Sequence, residues 1–589
     1  MTRVIVNDWM MSMGTIALMK IGHQQKNPLH SSANVLEVPV EWIEALPERL
    51  FSYFMDNYSI AKKEIDALEK LVQGAMKAKE DKEKYKNYSK WINDRVKSYA
   101  DRVKKYFTNY VEDLTVITIH IKSALEEKDE VLLKQEIKHY CDILSIEEVN
   151  QKLTLNWVKP TLLSPSGGQV SFLNVAKNGE TYKQQIATFK RDFIDTAVWE
   201  LTLQQFVEEQ NETSINEHMK SENAPKYAKA WVKAQKSSKL SWVDYLSTVP
   251  SCSLIEGQWG TIPFEEMYFV PLGLAMMPNT AWNGDTSAVQ HISSLARLML
   301  FLSPLGCSRY RRPINGQEQM VFGFLHDETN CEYTFTLNNQ LLKALQRDAL
   351  FTDALKDTFS KMKELENRRK NATMLIEWET YYTAKKTILE YKPLNQQFVS
   401  FLLNSESNKL NVTTIKPFSF RESVVRAALD NQDSKYLIFK EFNRILNENA
   451  SSTYSIYSAL RMRESILMEG GQAVITEQMY KLGYSLNQKL IGSRKENEDG
   501  SYQSPNEKKL ATIVYRLLNA AKGGNRQLFF DTAVRLHVLA NMNVSKNFTK
   551  LLDSETTDKE FATIALAFIA GLTPSKDSKT NEKPTPTVS

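Results

Sequence analysis

The stretch PNEKKLATIVYRLLNAAKGGNRQLFFDTAVRL, residues 505–536, constrains this chain more than any other. Leu510, Ile513, Val514, Leu517, Leu518 and Ala521 recur at i, i+3, i+4 and i+7, the stripe of a helix that buries one face. Pro505 suits a first helical turn, Gly523 the left-handed residue after a helix end, and Asn525 the cap of a second helix. That second helix carries Leu528, Phe529, Phe530, Ala533, Val534, Leu536, Val538 and Leu539, so apolar residues surround most of it and an interior position is expected. Asp531 and Arg535, four apart, occupy its narrow polar strip.

Helical periodicity recurs elsewhere. Over 56–125 the pattern predicts two long helices, the second carrying Trp91, Ile92, Val96, Tyr99, Val103, Tyr106, Tyr110 and Leu114. The run KAKEDKEKYK reads as a solvated face or connection. Between about 150 and 340 the texture changes: VKPTLLSPSGGQVSFLN, QWGTIPFEEMYFVPLG and QEQMVFGFLHDETNCEYTFTL carry strand and loop signals, interrupted by helical patterns at 180–210 and 288–302. The expected fold is therefore mainly α with a central α+β region, multidomain, ending in a C-terminal helical bundle. The expected segments are an N-terminal helical region 1–150, the α+β region 151–340, a helical connector 341–414, the bundle 415–575 and a disordered tail 576–589. The polar stretch NSESNKLNVTT is the linker candidate.

Neither of the apolar runs LMLFLSPLG and FATIALAFIAGL is long enough to span a bilayer. The N-terminal run lacks the charged n-region and cleavage site of a signal peptide and reads as a buried helix. Four cysteines without a CxxC fit a reducing compartment, so a cytoplasmic protein with no membrane partner is expected.

With 74 Lys and Arg against 70 Asp and Glu, the net charge is only +4, and any polyanion affinity must come from local concentration. Over 481–550, twelve cations less five acids leave +7. The cations Lys481, Lys489, Arg494, Lys495, Lys508, Lys509, Arg516, Lys522, Arg526 and Arg535 are candidates for phosphate contact. A basic bundle with no polyanionic ligand is the plainer alternative. In the central region the loop MMPNTAWNGD offers Asn279 and Asn283 as amide readers and Trp282 as a stacking or wedge residue. RYRRP supplies Arg309, Arg311 and Arg312 for phosphates or guanine edges, with fold-internal ion pairs as the competing role.

Enzymatic signatures are absent from the sequence. There is no phosphate loop and no HExxH, and the glycine pairs in AAKGGNR and SPSGGQV read as turns. His326-Asp327-Glu328 lacks partners at ligand spacing, and Cys252, Cys307, His326 and Cys331 contain no paired-cysteine knuckle. No catalytic residue, metal or cofactor is assigned, and binding outranks catalysis. A metal-dependent nuclease or hydrolase and a helical scaffold with protein partners only remain the alternatives.

Three stretches resemble the large subunits of type I-B CRISPR Cascade complexes: NDWMMSMGTIALMKI, the Pro304-Leu305-Gly306 stretch in ARLMLFLSPLG, and RLLNAAKGGNRQLFFDTAVRL. The chain departs from that pattern in ISSLARL, where relatives often carry paired cysteines, so the family's zinc site is not carried over. The resemblance implies a non-catalytic subunit that works with crRNA-bearing Cascade subunits. Such a subunit inspects the protospacer-adjacent motif on target double-stranded DNA, holds the displaced single strand and recruits a separate helicase-nuclease. It also suggests a further partner, the chain's own C-terminal fragment. The codons for Glu469-Gly470-Gly471 are purine-rich, and internal initiation at Val474 or Met479 would release the basic bundle alone.

Overall fold

The computed structural model describes residues 2–573 apart from 7, 168–172, 273–289, 315–316, 347–349, 362–372, 382–385, 395, 405–411, 449–452, 468–472, 492–494, 497–501 and 504–506. Most of the linker candidate and the whole expected tail therefore lie outside the described residues. The fold is mainly α with small sheets, as expected, but strands also occur outside 151–340: Thr2–Ile5, Val35–Val38 and His30–Ser32 form one sheet in that order near the N-terminus, and Lys495–Glu496 pairs with Tyr502–Gln503. The chain forms two compact units, Met1–Asn338 with Ile376–Glu390, and Asn339–Leu375 with Tyr391–Ser589.

At the centre of the first unit two helices cross, Trp9–Gln24 and Ser294–Gly306. Each is apolar nearly all round, so each is buried nearly all round. Asp8 starts the first by accepting from the amides of Met10 and Met11, and Ser293 starts the second by accepting from Ala296. Gly306 lets the backbones touch, since a Cβ there would overlap the Met13 carbonyl. Lys20 donates from Nζ to the carbonyl oxygens of Leu305 and Gly306, at 3.1 and 2.9 Å, satisfying groups that the helix end leaves unpaired. This packing joins the segments expected as 1–150 and 151–340.

Residues 60–158 build a five-helix cluster on one core. Where periodicity predicts two helices over 56–125, three occur: Ile60–Lys77, Lys82–Tyr106 and Val111–Glu127. The break falls at Phe107, which turns extended before Thr108-Asn109, residues of poor helix propensity. The KAKEDKEKYK run supplies the connection at 78–81, where Asp81 caps the next helix. Buried Glu64 receives Arg95 in a two-point pair, with both contacts at 2.7 Å, tying the first two helices together.

The strand signals of the middle region are met only in part. Lys159–Leu163 is a helical turn, and TFTL lies in the Cys331–Leu345 helix. Ser308–Ile314 and Gln317–His326 do pair as an antiparallel hairpin, within a four-stranded sheet completed by Met374–Tyr381 and Lys386–Pro393 in that order.

The second unit is a helical bundle organised on Asp558–Leu572, whose residues Phe561–Leu572 are all buried. Ala473–Ile491, Tyr454–Leu467 and Glu507–Lys522 pack around it. The interior helix is thus FATIALAFIAGL, and the expected interior helix, Arg526–Leu539, is half exposed. Its Val538 and Leu539 are 73% and 71% exposed, while Phe529, Ala533 and Leu536 face the core. Apolar content alone does not rank the two, because Asp531 and Arg535 already mark an outward strip.

Candidate nucleic-acid interface

The Glu507–Lys522 helix buries Leu510, Val514, Leu517, Leu518 and Ala521 of the stripe read from its spacing, while Ile513 at the edge is only partly buried. The opposite face presents Lys509, Thr512, Arg516, Asn519 and Lys522 to solvent. Among the described residues, Lys509, Arg516 and Lys522 have no carboxylate within 4 Å, and neither do exposed Lys489 and Arg535. Asp531 accepts from Gln527 at 3.1 Å instead of pairing with Arg535. Five cations therefore point outward without internal neutralisation.

The Gly-Gly-Asn corner closes as a Schellman motif. Asn525 donates its amide to the Ala520 carbonyl at 2.9 Å, and Asn525 Oδ1 then caps Leu528. The left-handed residue is Gly524, at φ +69°, one later than the expected Gly523, because the helix keeps its last turn through Lys522. The corner's two cations separate in role. Lys522 is exposed, whereas Arg526 donates to the carbonyls of Asp553 (2.9 Å) and Thr556 (2.6 Å) and to Asp558, with its guanidinium over the Phe561 ring. Arg526 clamps the loop before the central helix and is removed from the solvent-facing set.

Lys481 is exposed but paired with Glu477 at 2.7 Å. Beside it Tyr484 is half exposed, three residues along an outward strip that continues to Gln488, while exposed Lys489 lies farther round the helix. An exposed aromatic next to a lysine offers a surface on which the bases of a single strand can stack. Tyr484 is missing from the sequence-based candidates, although its spacing from Lys481 marks it. Arg494 lies outside the described residues, as do the side chains of Lys495 and Lys508.

Of the central candidates, Asn279, Trp282 and Asn283 lie outside the described residues. In the hairpin, strand alternation puts Tyr310 and Arg312 on one face and Arg309 and Arg311 on the other. Tyr310 and Arg312 both donate to the fully buried carboxylate of Glu377, and Arg312 also reaches Glu390. Arg312 is therefore an internal ion-pair residue, because a buried Glu377 requires a cation. Arg309 is partly buried over the Phe322 ring, near Glu379. Arg311 alone of the three projects into solvent, 3.5 Å from the exposed Glu318.

His326 ends its strand 3% exposed, stacked on Phe324, and burial lowers its pKa. Among the described residues no group of three or more His, Cys, Asp or Glu is placed to hold a metal ion. The four cysteines are buried and free. No protein-family model and no curated protein matches this sequence. No helix among the described residues is long and apolar enough to cross a membrane.

Proposed function

We propose that this chain is a non-catalytic subunit of a crRNA-guided type I-B CRISPR surveillance complex. In this reading the C-terminal bundle holds the displaced non-target strand, the central region reads the protospacer-adjacent motif, and a separate helicase-nuclease is recruited. The observation that carries the strand-holding role is the outward, unneutralised set Lys489, Lys509, Arg516, Lys522 and Arg535. Cations without acidic partners retain their full charge for phosphates and release counterions when they bind them. Tyr484 supplies an exposed stacking surface on the Ala473–Ile491 helix. For motif reading, Asn279, Trp282, Asn283 and Arg311 remain the candidates. The family assignment itself rests on the sequence resemblance.

The test is equilibrium binding of the full chain to a fluorescent oligo-dT strand across a KCl series. Replacing Lys509, Arg516 and Lys522 with Glu should weaken binding and flatten log K against log salt by about 0.7 for each phosphate no longer engaged. An unchanged slope in a folded triple variant refutes the strand-holding role. Reconstitution with crRNA-bearing subunits should then show normal assembly and reduced retention of the displaced strand.

Internal initiation at Val474 would yield a fragment holding Glu507–Lys522, Arg526–Leu539 and Asp558–Leu572, and nearly all of Ala473–Ile491. The packing of the central helix against Ala473–Ile491 and Glu507–Lys522 is internal to that fragment, which favours a folded product. Expressing the gene with a C-terminal tag should give a second, short band, abolished by synonymous recoding of 469–471. A single band unchanged by recoding removes this partner.

A further inference from the structure

The first unit carries a second basic surface, unconnected with the candidates read from the sequence. In the helix Lys226–Ser238 only Ala228 is buried. Lys226, Lys229, Lys233 and Lys236 follow one another at intervals of three, four and three residues, so they form one strip along the helix. All four are exposed, and among the described residues none has a carboxylate within 4 Å. Lys239, exposed and in the left-handed region at φ 56°, extends the strip beyond the helix end. From 224 to 243 the sequence APKYAKAWVKAQKSSKLSWV contains five lysines and no acid. At 1.5 Å per residue the strip from Lys226 to Lys236 is about 15 Å long.

The helix is held in place from its other side. The Tyr227 hydroxyl donates to the buried carboxylate of Glu200 at 2.5 Å, and Trp231 packs on the rings of Tyr227 and Trp259. Glu200 also accepts from Thr261 and Ser294, so this anchorage is fixed by a satisfied buried network. A ladder of unpaired ammonium groups thus stands on a rigid base, with only small exposed residues such as Ala230 and Ala234 between the rungs.

We infer that the Lys226–Lys236 ladder is a docking surface for the phosphate backbone of a nucleic-acid duplex. Charge complementarity selects a polyanion. An anionic lipid surface would also need an exposed apolar face to insert, yet Tyr227, Trp231 and Val232 pack into the aromatic cluster below, and Leu240, exposed beyond the helix end, is a single residue. A single strand would favour aromatic platforms, and the ladder face has none. Base reading is not expected either, since lysine is a point charge and the Gln235 amide is bound to the Leu240 carbonyl at 2.7 Å. The contact is therefore sequence-independent. Preference for DNA over RNA rests on the surveillance role proposed above.

The experiment uses the full chain with a 30-base-pair DNA duplex of arbitrary sequence, the matching RNA duplex, oligo-dT, and phosphatidylserine–phosphatidylcholine vesicles. Changing Lys226, Lys229, Lys233 and Lys236 to Gln should weaken duplex binding about eight-fold at 0.1 M salt for each lysine that meets a phosphate. It should also lower the salt slope by about 0.9 for each, while oligo-dT binding persists. Unchanged duplex affinity and slope in a variant with wild-type circular dichroism overturns the proposal. So does loss of vesicle binding with duplex binding intact. Should the quadruple variant misfold, Lys229→Gln with Lys233→Gln gives the same reading at half the size. Loss of RNA-duplex binding alone would keep the ladder and refute its DNA assignment. An unchanged oligo-dT salt slope in the folded Lys509, Arg516 and Lys522 variant would refute the bundle's role without touching this one.

Discussion

Gly571 and Tyr480 meet where no side chain fits: a Cβ on Gly571 would overlap the carbonyl oxygen of Tyr480, far inside 3.0 Å. A turn or so away along the crossing, Gly483 stands in the same relation to Phe568. The two glycines allow Ala473–Ile491 to lie directly on the central helix Asp558–Leu572. Because the atoms in the way are backbone on both sides, neither helix can yield without shifting whole. Gly571→Ala should lower stability by about 2 to 3 kcal/mol. Gly523→Ala, where the nearest atom stands 3.4 Å away, should cost less than about 1 kcal/mol. Urea unfolding followed by circular dichroism distinguishes the two, and equal midpoints would contradict the close crossing.

Arg312→Ala should destabilise the sheet by about 3 kcal/mol, since it strips the cation from a carboxylate, Glu377, that has no exposure. Arg311→Ala breaks only a pair exposed on both sides and should change stability by less than about 1 kcal/mol. Thermal unfolding of the two single variants measures the contrast. A similar loss in both would mean that Arg312 is not anchored as described.

Burial of Lys20 pushes its pKa down to about 8 from the usual lysine value. The unfolded chain thus holds a proton that the folded chain gives up, and stability rises with pH from about 8 toward 10.5. Each pH unit in that window is worth up to about 1.4 kcal/mol from this one group. Lys20→Met should remove that share of the slope while costing stability at every pH through the orphaned carbonyls of Leu305 and Gly306. Unfolding free energies at pH 8.0 and 9.5 for both proteins provide the check, and parallel pH curves would show that folding leaves the Lys20 pKa where an exposed lysine has it.

Glu464 runs the other way. Burial lifts its carboxyl to about 7, opposed by a 2.6 Å bond from the Thr476 hydroxyl and by nearby Arg461. The folded chain holds the extra proton here, so this contribution is complete below pH 4.5 and is lost as pH rises through about 7. Glu464→Gln should flatten the fall in stability between pH 5 and 7.5 relative to the natural chain. An identical pH profile in the two would show that Glu464 is already ionised at pH 5.

Much of the fold and part of the site are legible in the chain itself. The stripe Leu510–Ala521 announces a half-buried helix, and the same spacing places Lys509, Arg516 and Lys522 on its free face. A helix repeats every 3.6 residues whatever surrounds it, so which side a residue occupies is a local property. Tyr484 and the Lys226–Lys236 ladder obey the same rule, but a count of cations in the most basic segment ignores an aromatic within it and a ladder outside it.

Partners across space are not legible. Arg526 and Lys522 flank one corner with the same charge, yet Arg526 is consumed by carbonyls 27 and 30 residues away. Arg312 differs from Arg311 only in strand parity and in the arrival of Glu377 from another strand. Likewise the N-terminal run and the Pro304-Leu305-Gly306 stretch become one crossing only when Lys20 meets Gly306, 286 residues on. Local periodicity determined the elements and their faces; long-range packing decided which cations stay free, because a charge is committed only when folding brings an acceptor within a few ångströms of it.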